Sequence, residues 1–473
     1  MTGAAVTGAA VTDLGSTEPA NAGRPVWALH VLIVGLALHN LVMSQLYRAG
    51  IRGNALSAIA AWKDVLLIAA LALVVVAGRR LPFASSPVDW LALAFGVIVI
   101  IYGLIPQSWL GGGATHKGVL YAARHDLLPV GAYFLGRGLQ LTAKERGSLC
   151  RTVLITAAGV AAFGLIDVYV VPLAWWRHSA GWFSDQLGIN YFGLSGLPEN
   201  FIYNAGDGVI FRRLTSTFLS PLATGYLLVV ALLFVPFRAK RWAPPLALLL
   251  FAALLWTHTR AGVIALVLAL LAIAAIRRAP FPLVLAVVVA VVGFAFVKEY
   301  NHFAPRAHFT ALELKQQERH AHANPAKSND ATSANEASTS EHLSSLRQGI
   351  RTVLHHPQGF GLGNSGVTAE RTGVKPEAGE STYTELGVEA GLLGGLLFIA
   401  WSLAVLWRLV PRVTWLAAAF VAVLFLGLQT DVIGIPWIAV VVWALAGDAV
   451  GLPARAMPRG TRQQQGVTRQ QRV

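Results

Sequence analysis

The chain has 473 residues, 55% of them hydrophobic and only 13% charged, about half the charged fraction of a soluble domain. That balance, with apolar runs such as Ala261–Ile276 and Phe281–Val297, excludes a soluble enzyme and points to membrane-spanning helices; a barrel would show short alternating segments. The net charge of +14 does not mark a nucleic-acid partner, because most Lys and Arg sit in short loops between apolar spans.

The predicted elements run as follows. Residues 1–26, rich in Ala, Gly and Thr, are expected to form a disordered cytoplasmic N-terminus without a cleavable signal peptide. About twelve spans follow, near 27–47, 55–78, 89–107, 118–137, 150–172, 220–237, 243–257, 259–276, 281–298, 384–408, 412–430 and 434–450. The expected fold class is an all-α polytopic membrane protein. Its divisions are transmembrane helices 1–9 over 27–297 with an outer loop at 173–219, a large loop at 298–383, transmembrane helices 10–12 over 384–450, and a basic cytoplasmic tail at 451–473. The single cysteine, Cys150, excludes an internal disulfide and a multi-cysteine metal site.

Loop charge sets the orientation. With the N-terminus in the cytoplasm, the inner turns hold Arg79 and Arg80, Arg137 to Arg151, Arg238 to Arg241, Arg277 and Arg278, and Arg408 and Arg412. This is a positive-inside pattern; Arg48, Arg52 and Lys117 fall outside and oppose it mildly. The aromatic-rich loop at 173–219 and the large loop then both lie outside. Within the large loop, Ala323–Glu341 is polar and low in complexity and is expected to be mobile. His342–Leu354 follows as an amphipathic helix with Leu343, Leu346, Ile350 and Leu354 on one face, and His355–Asn364 breaks into Gly-rich turns.

Ionisable residues collect at the outer ends of the spans: Lys63 and Asp64; Arg124, His125 and Asp126; Arg213; Arg260; Glu380; Asp431. No comparable group is expected deep in the inner half of any span. A charge inside a membrane is costly and marks a functional site by default, although each residue alone reads equally well as a partnered structural charge.

Three segments carry chemistry. Arg212-Arg213-Leu214-Thr215-Ser216-Thr217-Phe218 places guanidinium groups before a helix, where they can bind phosphate bidentately or snorkel to lipid headgroups. Thr257-His258-Thr259-Arg260-Ala261-Gly262 breaks an overlong apolar stretch, so a tight outer turn is predicted with Arg260 at a helix N-terminus; two arginines and that terminus would suit a pyrophosphate. Glu380-Ser381-Thr382-Tyr383 begins the return into the membrane. Glu380 there can accept a proton from a sugar hydroxyl, or Ser381 can simply cap the helix beside an acid that the dipole favours. Glu385 and Glu389 share one face of this helix at i, i+4 spacing.

In this order the segments resemble the O-antigen ligase and O-antigen polymerase superfamily of bacterial envelope glycosyltransferases. The resemblance rests on Arg213, Ser216, Phe218 and Pro221, then Arg260–Gly262, then His-Pro-x-Gly-x-Gly at His356–Gly361, then Glu-Ser-x-Tyr at Glu380–Tyr383 with Glu389 and Gly391. It is best over Arg213–Leu397. It implies a metal-independent inverting transfer, without a cofactor, at the periplasmic face of the bacterial inner membrane, both termini being cytoplasmic. The implied donor is an undecaprenyl-pyrophosphate-linked glycan and the acceptor another glycan. Arg213 and Arg260 would hold the pyrophosphate and Glu380 would act as the base. Arg124, Arg212, His258, His356 and Tyr383 are supporting candidates, and other envelope polysaccharide assembly proteins are candidate partners. Ligases of this superfamily usually carry a His at the position of Glu380, so the departure leans toward a polymerase of repeat units, with a ligase as the alternative. A small-anion transporter is the alternative of another class, and the sequence lacks the internal repeat that transporters often show.

Overall fold

The computed structural model describes residues 24–78, 86–177, 180–187, 201–204, 210–238, 240–307 and 337–454. The predicted N-terminal tail up to residue 23, Arg79 and Arg80, part of the aromatic-rich loop, most of the low-complexity stretch and most of the basic C-terminal tail lie outside the described residues.

Each of the twelve predicted spans coincides with helix. The first half contains α1 (Val26–Arg48), α2 (Gly53–Ala60), α3 (Trp62–Gly78), α4 (Pro87–Leu104), α5 (His116–Leu139) and α6 (Ala143–Val170), with short helices α7 (Leu173–Arg177) and α8 (Ala180–Leu187) in the loop after it. Then come α9 (Pro221–Arg238), α10 (Ala243–Trp256), α11 (Arg260–Arg277) and α12 (Pro280–Phe303). The large loop contributes α13 (Ala337–His355) and α14 (Gly366–Arg371), and the chain returns through α15 (Thr382–Glu389), α16 (Gly391–Leu409), α17 (Thr414–Leu426) and a π-helical segment, Ile438–Val442, that runs into α18 (Trp443–Val450). Seven helical segments among the described residues are long and apolar enough to cross a membrane, and four shorter apolar helices accompany them. The chain is a mostly helical, multi-pass membrane protein.

Local sequence explains where helices start. Ser86 caps α4 ahead of Pro87 at its first position. Thr142 and Glu145 form a reciprocal capping box at α6. Outward-facing apolar residues such as Val287, Val291 and Phe294 of α12 are exposed, as lipid-facing positions should be. Inside, α5 meets α18 at backbone contact: a Cβ on Gly136 would collide with the Ala444 carbonyl, and one on Gly447 with the Tyr133 carbonyl.

Two predicted spans are broken. The second divides at Ala61, and the buried Lys63 Nζ donates to the Ala60 carbonyl there over 2.9 Å. The tenth divides at Gly391, whose φ is +70° and whose missing side chain leaves room for the Tyr102 hydroxyl and the Pro357 carbonyl. That break turns α15 into a separate short helix.

Two expectations need correction. Charges are not confined to one end of the bundle. At the opposite end Asp89 is buried against Arg137 (2.9 Å) and the Tyr133 hydroxyl (2.7 Å), and Asp448 against Arg146 (2.8 Å) and the Leu141 amide (2.8 Å). The sequence reading missed them because Asp89 and Asp448 sit at span ends, where helix packing rather than loop solvent surrounds them. They are complete ion pairs that tie neighbouring helices. The predicted amphipathic helix exists as α13, but Leu343, Ile350 and Leu354 are exposed, whereas Gly349 and Val353 face α15.

A small antiparallel sheet lies beside the helix ends, with β1 (Ile202–Asn204), β2 (Ile210–Arg212) and β3 (Arg306–Ala307) in that order. Tyr203 pairs with Phe211, and Phe211 with Arg306.

Candidate active site

The predicted turn between α10 and α11 is present. Helix α10 ends at Trp256, and Thr259 stands at the N-cap position of α11, whose first residue is Arg260. Arg213, just after β2, is fixed to the same turn: its amide donates to Phe201 O (2.9 Å) and its Nε to Thr257 O (3.0 Å). Its Nη2 reaches His258 O and the Thr259 hydroxyl at 3.5 Å each. His258, at φ +49°, packs between Tyr203 (4.4 Å between ring centroids) and Tyr300 (4.2 Å). Burial, and then the positive charges of Arg213 and Arg260, hold its imidazole well below the ordinary histidine range. Both arginines are thus close enough to act electrostatically on His258, beside a helix N-terminus whose amides also attract anions.

The neighbouring Arg212 points elsewhere, as successive residues of a strand do. It is buried against Asp167, which also accepts from Trp176 Nε1 at 2.7 Å, and it donates to the Val171 carbonyl. Tyr300 Oη donates to the Arg212 carbonyl at 2.6 Å. Arg212 is thus a strut that fixes the strand from which Arg213 emerges.

At the return into the membrane, Glu380 is half-exposed, has φ +71°, and its carboxylate is hydrogen-bonded to the His342 imidazole of α13. A left-handed backbone at a glutamate is uncommon and is held by its surroundings. Ser381 occupies the N-cap position of α15 but does not cap with its side chain; its hydroxyl donates to Gly427 O at 3.0 Å. The helix-capping explanation of this junction therefore loses its hydrogen bond. The sequence reading did not connect His342 with Glu380, because 38 residues separate them and much of that interval is loop.

Beneath this junction lies a buried acidic cluster. His125 Nδ1 is 2.7 Å from Asp126 Oδ1, and its Nε2 is 2.7 Å from Asp431 Oδ2. Asp126 itself is buried, with the charges of Asp431 and Glu389 acting around it. Glu389 accepts from the Gly363 amide at 3.0 Å, and Glu385 packs its carboxyl against Gly366, where a side chain would collide with it. The Gly-rich turns are thus needed to seat two glutamates whose i, i+4 spacing was visible in sequence. Four carboxyls around one imidazole in a buried site cannot all be ionised, so the cluster retains protons.

Tyr226, Thr430 and Thr382 lie between the arginine turn and the Glu380 junction. Tyr226, close enough to Arg213 to feel its charge, lies 3.0 Å from Thr430 Oγ1. Thr382 Oγ1 accepts from the Val432 amide at 2.8 Å and lies 3.2 Å from Thr430 O and 3.3 Å from Asp431 Oδ1. The remaining candidates lie apart. Tyr383 donates to Leu424 O at 2.7 Å, an inter-helix contact; His356 is exposed against Phe360; Arg124 pairs with Asp64 at 2.8 Å. Among the described residues no three His, Cys, Asp or Glu side chains are arranged to hold a metal ion.

The Arg213 turn and the His342–Glu380 pair therefore flank the Tyr226–Thr430–Thr382 contacts. No curated protein matches this sequence. Residues 245–399, about a third of the chain, match the family model described as O-antigen ligase, a segment that holds Arg260, the Gly-rich turns, Glu380 and α15. That match supports assigning the chain to the O-antigen ligase and polymerase superfamily, as the motifs implied.

Proposed function

We propose that the protein is a glycosyltransferase that takes a glycan from an undecaprenyl-pyrophosphate donor at the periplasmic face of the inner membrane and joins it to a second repeat unit, polymerising a surface polysaccharide. The observation that carries this reading is that Arg213 is bonded to the Thr257–Thr259 turn that Arg260 follows as the first residue of α11, and that both charges act on His258. When the sugar–phosphate bond breaks, negative charge grows on the leaving pyrophosphate. Fixed guanidinium groups and helix amides stabilise that charge most where it develops.

Glu380 then serves as the base. Its carboxylate receives the acceptor hydroxyl's proton as the oxygen attacks the anomeric carbon from the face opposite the leaving group, which inverts that centre. His342 orients the carboxylate and shares its proton. The buried cluster of His125, Asp126, Asp431, Glu385 and Glu389 holds α15, and hence Glu380, in place against α5.

A ligase would use the same machinery on a different acceptor, and the His342–Glu380 pair favours keeping that reading, because it supplies an imidazole at the junction. The test is direct. Purified protein in bilayer nanodiscs receives undecaprenyl-pyrophosphate-linked repeat units, and the products are resolved by size. A ladder of lengthening chains is expected. Transfer only to an added lipid or protein acceptor would replace polymerase by ligase, and donor left intact under every acceptor condition would end the proposal.

A further inference from the structure

A second group of cations, sharing no residue with the arginine turn, is built from α3, α5 and α14. Lys63, in the first turn of α3, is 5% exposed and donates to Ala60 O (2.9 Å), with His39 Nε2 at 3.3 Å. Arg124 of α5 gives only its Nε to Asp64 Oδ1, at 2.8 Å, and its side chain is 40% exposed. Arg371, the last residue of α14, lies over the Tyr121 ring at 4.7 Å, with Lys117 Nζ at 5.5 Å from the same ring. Among the described residues the two terminal nitrogens of Arg124 and the whole Arg371 guanidinium make no hydrogen bond to protein. Lys63 feels the charge of both arginines. Among the described residues Asp64 is the one carboxylate that forms an ion pair in a group that otherwise holds Lys63, Lys117, Arg124 and Arg371.

Gathering like charges at a membrane-embedded position is unfavourable unless an anion joins them. The anion must also suit the surroundings. Val65, next to Asp64, and Leu120, next to the Tyr121 ring that Arg371 and Lys117 cover, are exposed apolar residues on helices of the bundle. A hydrocarbon chain beside a doubly charged headgroup satisfies both surfaces at once, and two forked guanidinium groups match phosphate oxygens.

We propose that Lys63, Arg124 and Arg371 form a second site for the phosphate headgroup of a membrane lipid, separate from the pyrophosphate turn at Arg213 and Arg260. A transferase that joins two lipid-linked glycans needs two such seats, and the identification of this one as the acceptor's rests on the proposed function; the site itself does not.

The test uses the full-length protein in phosphatidylcholine nanodiscs, with undecaprenyl pyrophosphate as the probe and native mass spectrometry to count bound lipid. Two equivalents are expected on the wild type. Arg124→Gln/Arg371→Gln should lower affinity for one of them at least tenfold, and Arg213→Gln/Arg260→Gln should lower affinity for the other. If the first double variant unfolds, the single variant Arg371→Lys, which keeps the charge and shortens the fork, should lower the same affinity partially. Excess phosphatidylglycerol separates the two sources of the headgroup: displacement of the second equivalent assigns the site to bulk anionic phospholipid, and resistance assigns it to the lipid-linked substrate. One equivalent lost only with Arg124 and Arg371 would sink the proposed function and leave this site standing. Unchanged binding in both the Arg124/Arg371 double variant and Arg371→Lys would overturn the site.

Discussion

His125 Nε2 and Asp431 Oδ2 lie 2.7 Å apart although 306 residues separate them. One proton must sit in that contact, because a neutral imidazole nitrogen and a carboxylate would otherwise face each other as two acceptors. The pair joins α5 to the segment after α17, and Thr382 ties the same carboxylate to α15.

Removing one partner should therefore cost more than removing both. Asp431→Asn or His125→Ala leaves a buried group uncompensated and is expected to destabilise the fold by about 3–5 kcal/mol. Thermal unfolding in detergent reads this directly. A double replacement of His125 and Asp431 that unfolds no less readily than the sum of the singles would contradict coupling between them.

Arg213→Gln and Arg260→Gln should each weaken donor binding at least tenfold, since a charge-assisted hydrogen bond to phosphate contributes about 1.5–3 kcal/mol. Arg213→Lys should recover little, because Lys cannot both hold Thr257 O, now 3.0 Å from Nε, and present a fork to the ligand. Arg212→Gln serves as the contrast: it should lower stability through Asp167 and leave the affinity of the protein that remains folded nearly unchanged.

Glu380→Gln should lose about 10²–10⁴-fold in turnover with donor affinity kept. His342→Gln should lose less and should displace the pH profile of turnover, since it alters the group that shares the Glu380 proton. Full activity in Glu380→Gln, with protein inserted as in the wild type, would remove the carboxylate from the mechanism.

His258 gives a pH dependence with a fixed sign. Its imidazole is held well below its ordinary range, so the unfolded chain binds a proton that the folded turn does not. Its contribution to stability is full above the unfolded value of about 6.5 and is lost as the pH falls below it. His258→Gln should flatten this acid limb. Pyrophosphate should raise the His258 titration midpoint followed by NMR, because the anion offsets the two arginine charges; a midpoint unmoved at saturating pyrophosphate would place the anion elsewhere.

The helical architecture was legible in sequence because lipid forces long apolar runs, and the α10–α11 turn because Thr257–Arg260 interrupts one. The breaks at Ala61 and Gly391 were hidden, since a glycine or alanine inside an apolar run reads as continuous helix; at Gly391 the Pro357 and Gln358 carbonyls take the space a side chain would need. Arg213 and Arg260 were visible as charges before helices. What separates Arg213 from Arg212 is strand alternation in a three-stranded sheet whose members come from both long loops, and no local pattern announces it. Glu385 and Glu389 carried a helical spacing, but their burial depends on Gly363 and Gly366, contributed by the loop before them. His342 lay on a helix whose apolar stripe suggested the wrong inward face, because Leu343, Ile350 and Leu354 are exposed.

The contact of α5 with α18, backbone against backbone at Gly136 and Gly447, has a consequence for biogenesis. A nascent chain emerging from the ribosome exposes α5, with His125 and Asp126, long before Asp431 and α18 exist. Helix α5 must wait for α18, and a chain released before residue 431 has no route to a closed site.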